Sequence, residues 1–116
     1  MGELLGIARF RIREGKLQEY KRLCARAMDI VRTREPGTLQ YDVYFNADES
    51  ESVVVERYRD SEAAIRHAAN LGEVTAAVLA TVSVVHGEVL GIPSPELRAR
   101  LAGSDVPALF TPYLSM

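Results

Sequence analysis

The stretch REPGTLQYDVYFNADESESVVVERYRDSEAAIRHAANLG, Arg34 to Gly72, decides how this chain folds. From Thr38 to Phe45 the residues alternate: Leu39, Tyr41, Val43 and Phe45 on one face, Gln40, Asp42 and Tyr44 on the other. That period of two is the signature of a strand. Asn46 to Ser50 is a polar turn, and Ser52 to Tyr58 is a second strand carrying the β-branched run Val53, Val54 and Val55. Two strands this close in sequence pair as an antiparallel hairpin. Asp60 or Ser61 then caps a helix, with Glu62 in the first turn where the helix dipole favours an anion. The helix carries His67, runs to about Asn70, and breaks or kinks at Gly72.

Upstream, Leu4 to Ile12 reads as a strand, with Leu4, Ala8, Phe10 and Ile12 opposite Arg9, Arg11 and Arg13. Gly15 ends it. Lys16 to about Arg34 reads as a helix, because Leu17, Tyr20, Cys24, Ala27, Met28 and Val31 recur at helical spacing. Glu35-Pro36-Gly37 stops that helix, since a proline biases the residue before it away from helical geometry. Downstream, Glu73 to Ala80 resumes as helix and Val82 to Leu90 is a further strand. The order β-α-β-β-α-β predicts an α+β, ferredoxin-like domain over residues 1–91, a four-stranded antiparallel sheet with helices on one face. Residues 92–116 form a C-terminal extension. Ser94-Pro95-Glu96 starts a short helix that Gly103 ends, and Val106 to Met116 is an apolar tail broken by Pro107 and Pro112. This extension packs on its own domain or on a partner subunit.

Composition narrows the function classes. The chain has 116 residues, the size of one domain. A net charge of -2 and a pI of about 5.7 give no basic face for nucleic acid. The single cysteine, Cys24, has no partner for an intrachain disulfide and fits a reducing cytoplasm. No apolar run is long enough to span a membrane, and the N-terminus lacks the build of a signal peptide. Only two histidines are present, His67 and His86, without metal-ligand spacing, so no metal site is expected. No glycine-rich phosphate or dinucleotide loop stands out, and no cofactor is expected. On the hairpin strands both faces carry bulky residues: Tyr41 and Val43 against Tyr44, and Val53 and Val55 against Val54 and Tyr58. A sheet apolar on both faces is covered on both, and a second copy of the chain is the simplest cover for the side without helices.

The turn Glu35-Pro36-Gly37-Thr38-Leu39 followed by Tyr41, the run Val55-Glu56-Arg57-Tyr58, and Ser61-Glu62-Ala63 followed by His67 together resemble the antibiotic biosynthesis monooxygenase family. The likeness covers roughly Leu4 to Leu90. It implies a dimeric α+β barrel. It also implies one of two functions: oxygenation of a quinol or polycyclic aromatic molecule without metal or flavin, or a dimeric ligand-binding or accessory role with no chemistry. The chain has no tryptophan. The haem-degrading relatives and the best-understood aromatic oxygenases of this kind place a tryptophan beside their substrate, so its absence argues against haem degradation and favours the binding or accessory role.

Within that frame His67 is the candidate catalytic base, able to take a proton from a phenolic substrate; the alternative is a structural histidine bonded to a neighbour. Asn70, three residues on, either orients a substrate oxygen or caps the helix. Tyr41, Tyr44 and Tyr58 are candidates to line the cavity and bind a small aromatic or quinone-like ligand, or else belong to core and interface. His86 shares a strand with Val82, Val84 and Glu88, and on this reading shares their face and bonds Glu88. Glu56 and Arg57 point to opposite faces, and whichever points inward needs a partner; Arg9 or Arg11 could reach it. A cavity in which His67 meets two or three polar groups would favour chemistry. A wholly apolar cavity with His67 in solvent would favour a binding protein.

Overall fold

The structure, a computed structural model, describes residues 2–103 and 106–116. Its elements run β1 (Leu4–Ile12), α1 (Leu17–Arg34), β2 (Thr38–Phe45), β3 (Glu51–Tyr58), α2 (Ser61–Asn70), α3 (Gly72–Leu79), β4 (Val82–Leu90), α4 (Pro95–Leu101) and β5 (Ala108–Phe110). The sheet order is β2-β3-β1-β4-β5. The first four strands pair antiparallel, as the ferredoxin-like reading requires. The fifth strand is an addition: three residues of the tail run parallel to β4, from Glu88↔Ala108 to Leu90↔Phe110.

Local chemistry accounts for the element boundaries. Asp60 caps α2 by accepting from the Ala63 amide at 2.9 Å. Ser94 caps α4 in the same way from Leu97 at 3.2 Å, with Pro95 at the first helical position. The backbone N–H of Ser94 in turn donates to Ser61 Oγ at 2.8 Å, which ties the extension to the start of α2.

Two strands depart from simple alternation. In β2 the pairing jumps from Thr38↔Tyr58 to Gln40↔Arg57, leaving Leu39 as an extra residue, turned to solvent instead of sharing the Tyr41 face. In β4 the pairing passes from Phe10↔Val84 to Arg9↔His86, so Val85 is extra. His86 and Glu88 therefore lie on the face opposite Val82 and Val84, which corrects the expectation that all four share one face.

The helices cover one face of the sheet through two apolar clusters. Leu4, Tyr58, Ala63 and Leu97 form the first, so α4 packs on its own chain. Ala27, Val31, Leu71 and Val74 form the second, with Tyr41 and Val78 packed against it. Tyr20 is fully buried under α1, and its hydroxyl donates to Ser52 Oγ on β3 at 2.7 Å. The helices leave the opposite face of the sheet open, and among the described residues only the tail comes near it, beside Leu5 and Leu90. Leu5, Ile7, Val53, Val55 and Leu90 are half-buried there, beside Arg9, Arg11 and Glu51. Among the described residues no helix is long and apolar enough to cross a membrane.

Candidate active site

Between the two apolar clusters the sheet and helices leave a gap, and its residues explain why. On the sheet side β1 presents Gly6. On the helix side Ala64, Ala68 and Gly72 follow one another every four residues. Short side chains facing short side chains leave a cavity of about 440 Å³, lined mostly by apolar groups. That volume suits a small organic ligand.

One end of the cavity is polar. His67, on α2, has a side chain only 11% exposed. Its ring lies between those of Tyr41 and Tyr58, with centroids 5.5 and 5.3 Å away. Nδ1 is 2.7 Å from Glu35 Oε1. Glu35 comes from the turn that ends α1, and its carboxylate, 2% exposed, also accepts from Thr38 Oγ1 at 2.8 Å and Asn70 Nδ2 at 3.2 Å. Burial pushes the Glu35 carboxyl up, but the bonds from His67 and Thr38, the His67 charge and the Asn70 bond outweigh it. The net effect holds the group below its ordinary value. An ionised carboxylate only accepts, so Nδ1 carries a proton and donates it to Glu35.

Nε2 faces Glu56, whose Oε1 is 3.6 Å away. Glu56 projects from β3 into the cavity and accepts a hydrogen bond from the Tyr58 hydroxyl. Burial, then the Glu56 charge and that bond, drive the Tyr58 phenol strongly upward, so it remains protonated. Tyr41 is raised too, by burial first and the Glu56 charge second. The site thus gathers two hydrogen-bonded pairs, Glu35–His67 and Glu56–Tyr58, with His67 Nε2 and Glu56 3.6 Å apart at the cavity wall. Glu35 and Glu56 lie on opposite edges of one imidazole, so they do not converge on a common metal; among the described residues no three metal-binding side chains cluster.

The model of the antibiotic biosynthesis monooxygenase family matches residues 5–80. The chain belongs to that family.

Three solved structures show how far the likeness extends. MupZ from Pseudomonas fluorescens is 26% identical with a TM-score of 0.83, and the match covers 100% of this chain and 94% of MupZ, so it takes in the C-terminal extension. Rv0793 from Mycobacterium tuberculosis is 28% identical with a TM-score of 0.69, over 80% of this chain and 97% of Rv0793. SnoaB from Streptomyces nogalater, described as a cofactor-independent oxygenase, is 21% identical with a TM-score of 0.66, over 77% of this chain and 91% of SnoaB. At that identity SnoaB is a likeness of fold. No curated protein matches the chain.

For this member of the family the sequence-predicted site residues divide. His67 and Tyr58 line the cavity, while Tyr41 packs against the His67 ring and lines only a smaller recess beside it. Tyr44 does not: it lies on the other sheet face, 53% exposed, because it is one residue out of phase with Tyr41 and Val43. Asn70 neither reaches the cavity nor caps the helix, whose C-cap is Leu71; its amide holds Glu35. Glu56 is the inward charge and Arg57 points away to Glu3 at 3.3 Å, but the partners of Glu56 are Tyr58 and His67. Arg9 and Arg11 are on the far face with Glu51. His86 pairs with Glu88 at 3.0 Å, away from the site. Glu35 read in sequence only as a helix stop. Its position beside a proline gave no sign that its side chain turns back under a helix 32 residues on.

Proposed function

We propose that this protein is a cytoplasmic homodimer acting as a cofactor-independent monooxygenase on a quinol or polycyclic aromatic molecule, with His67 as the base. The observation that carries the reading is one imidazole set between two carboxylates at the wall of a largely apolar cavity, with Nε2 on the Glu56 side. A phenolic or enolic hydroxyl placed at that nitrogen gives its proton to Nε2, and the resulting imidazolium lies between Glu35 and Glu56. The substrate anion is electron-rich enough to pass electrons to dioxygen. For a ring methylene the balance is simple: two hydrogens leave the carbon, one oxygen atom becomes its carbonyl, and the other departs as water with those hydrogens. Tyr58 holds Glu56 and packs against the ring, and Tyr41 backs the imidazole. A cavity in which His67 meets several polar groups favours chemistry over the binding-protein alternative. Family membership and the fold shared with an oxygenase support the same reading.

The test is oxygen consumption with hydroquinones, naphthols and anthrones, without added metal or flavin. Wild type is expected to exceed the uncatalysed rate, and His67→Ala and His67→Gln to lose roughly 10²–10⁴-fold, the range of a general base. Uptake that survives both substitutions removes His67 as the base. No uptake with any compound returns the protein to the binding-protein class.

A further inference from the structure

The cavity beside His67 is one of two. A second, also of about 440 Å³, lies further along the same space between sheet and helices, where Ala8, Phe10, Leu79 and Val84 line it. Gly6, Glu56, Val89 and Pro107 belong to the walls of both. A small recess of about 90 Å³ under Tyr41 and Cys24 also opens on Glu56. Three spaces therefore meet at one carboxylate. The passage beside it is open because β1 carries a glycine there: a Cβ at Gly6 would already touch Glu56 Cβ, at 3.8 Å. On the far side Gly87 lets the tail segment Val106–Pro107 lie against β4, where a Cβ would come within 3.1 Å of Val106 Cγ1. The extension thus roofs both lobes where they join.

We infer that the substrate is an elongated molecule, an oxidisable ring bearing an apolar arm, with the ring in the lobe beside His67 and the arm threaded past Gly6 into the second lobe. This rests on the proposed oxygenation for the identity of the ring. The arm follows from shape alone. A compact polycycle fills one lobe, which is itself large enough for a drug-sized molecule, and leaves the second open. Away from Glu56 and Glu88 the second lobe is lined by hydrocarbon, from Ala8, Phe10, Leu79 and Val84, so the arm is aliphatic or aryl and uncharged. The polar groups from Glu35 to Tyr58 stand at the junction, which puts the reactive hydroxyl near the middle of the ligand and not at its end.

Binding of 2-methyl-3-alkyl-1,4-naphthoquinones, already oxidised and blocked at both reactive ring positions, tests this by calorimetry. Affinity is expected to rise roughly three- to fourfold per methylene until the second lobe is full. Val84→Trp, which fills that lobe, should bring the plateau at a shorter arm. Leu79→Ala, which widens it, should move the plateau to a longer one. Affinity independent of arm length, a plateau indifferent to both substitutions, or no binding by any member overturns the inference. Arm-dependent binding without oxygen uptake by 2-alkyl-1,4-naphthalenediols, whose ring C3 is open, keeps the elongated ligand and removes the oxygenase reading. Uptake of unsubstituted quinols, with arms making no difference, does the reverse.

Discussion

At the scale of single residues the site depends on Glu35 more than on any other group that does not meet the cavity. Its carboxylate takes hydrogen bonds from His67, Thr38 and Asn70 in a place where water cannot substitute. A glutamine there keeps one acceptor oxygen and turns an amide donor toward other donors. Glu35→Gln is therefore expected to cost about 1.5–3 kcal/mol of stability at neutral pH, measured by urea unfolding. The pH dependence has a definite sign. Because folding lowers the Glu35 pKa, its contribution is fully present above the ordinary value of 4.5 and is lost as pH falls through the lower, folded value. The gap between wild type and Glu35→Gln should be flat above about pH 5 and close in more acid solution. A gap that widens with acid would contradict the ionised, triply bonded carboxylate. The same substitution frees the His67 tautomer, so oxygen uptake should fall with it. His67 was legible in sequence because histidines are few and one stood on a helix in a family pattern. Glu56 was legible because a period of two forces it or Arg57 inward. Glu35 was not, since the pairing spans 32 residues and only the folded chain brings the two together.

At the scale of elements, the turn between α1 and β2 positions the buried carboxylate, and Gly37 is what lets it pass under α2. An added Cβ at Gly37 would stand 2.7 Å from Ala63 Cβ. Both atoms sit at the root of their side chains and cannot swing aside, so the backbone must move. Gly37→Ala is expected to destabilise by about 1–3 kcal/mol and to lower oxygen uptake by more than the loss of folded protein explains, because Glu35 is two residues away. Unchanged melting temperature and activity would show that the turn has slack. Loss of the α2 cap is a simpler case. Asp60→Ala should cost about 1 kcal/mol, with the chemistry affected only through stability. Elements with caps and long periodicity were readable from sequence, and their bounds fell within a residue or two. The two bulges were not, because an extra residue in a strand leaves no local mark; each reversed the facing of its neighbours, Leu39 in one case and His86 in the other. The three residues of β5 are too few for any period to declare itself.

At the scale of the whole molecule, the uncovered sheet face makes the strongest claim. Leu5, Ile7, Val53, Val55 and Leu90 form an apolar field on it, with Tyr44 at its side, and the tail adds Tyr113 and Leu114 in solvent. The opposite face is already occupied by α1, α2 and α3, and among the described residues only the tail comes near this field, beside Leu5 and Leu90. A domain of 116 residues can bury a real core, and sheet-on-sheet association would bury more apolar surface. A C2 dimer brings the same residues together from both copies, so one substitution acts twice. Val55 lies near the centre of that face, paired with Ile7 across the ladder. Val55→Glu puts two carboxylates against each other in the middle of the interface. Sedimentation equilibrium of wild type should give twice 12.8 kDa at micromolar concentration, and Val55→Glu should give a single chain with a lower melting temperature. A wild-type monomer would mean that the face is covered by something else, and the homodimer would have to be abandoned. A dimer untouched by Val55→Glu would place the contact elsewhere, most simply on the exposed tail. The cavity lies on the helix side of the sheet and Glu56 reaches it from β3, one residue from Val55 on the other side. In the proposed homodimer the contact would brace the strand that carries the polar junction, and Val55→Glu should then weaken oxygen uptake even at temperatures where the monomer remains folded.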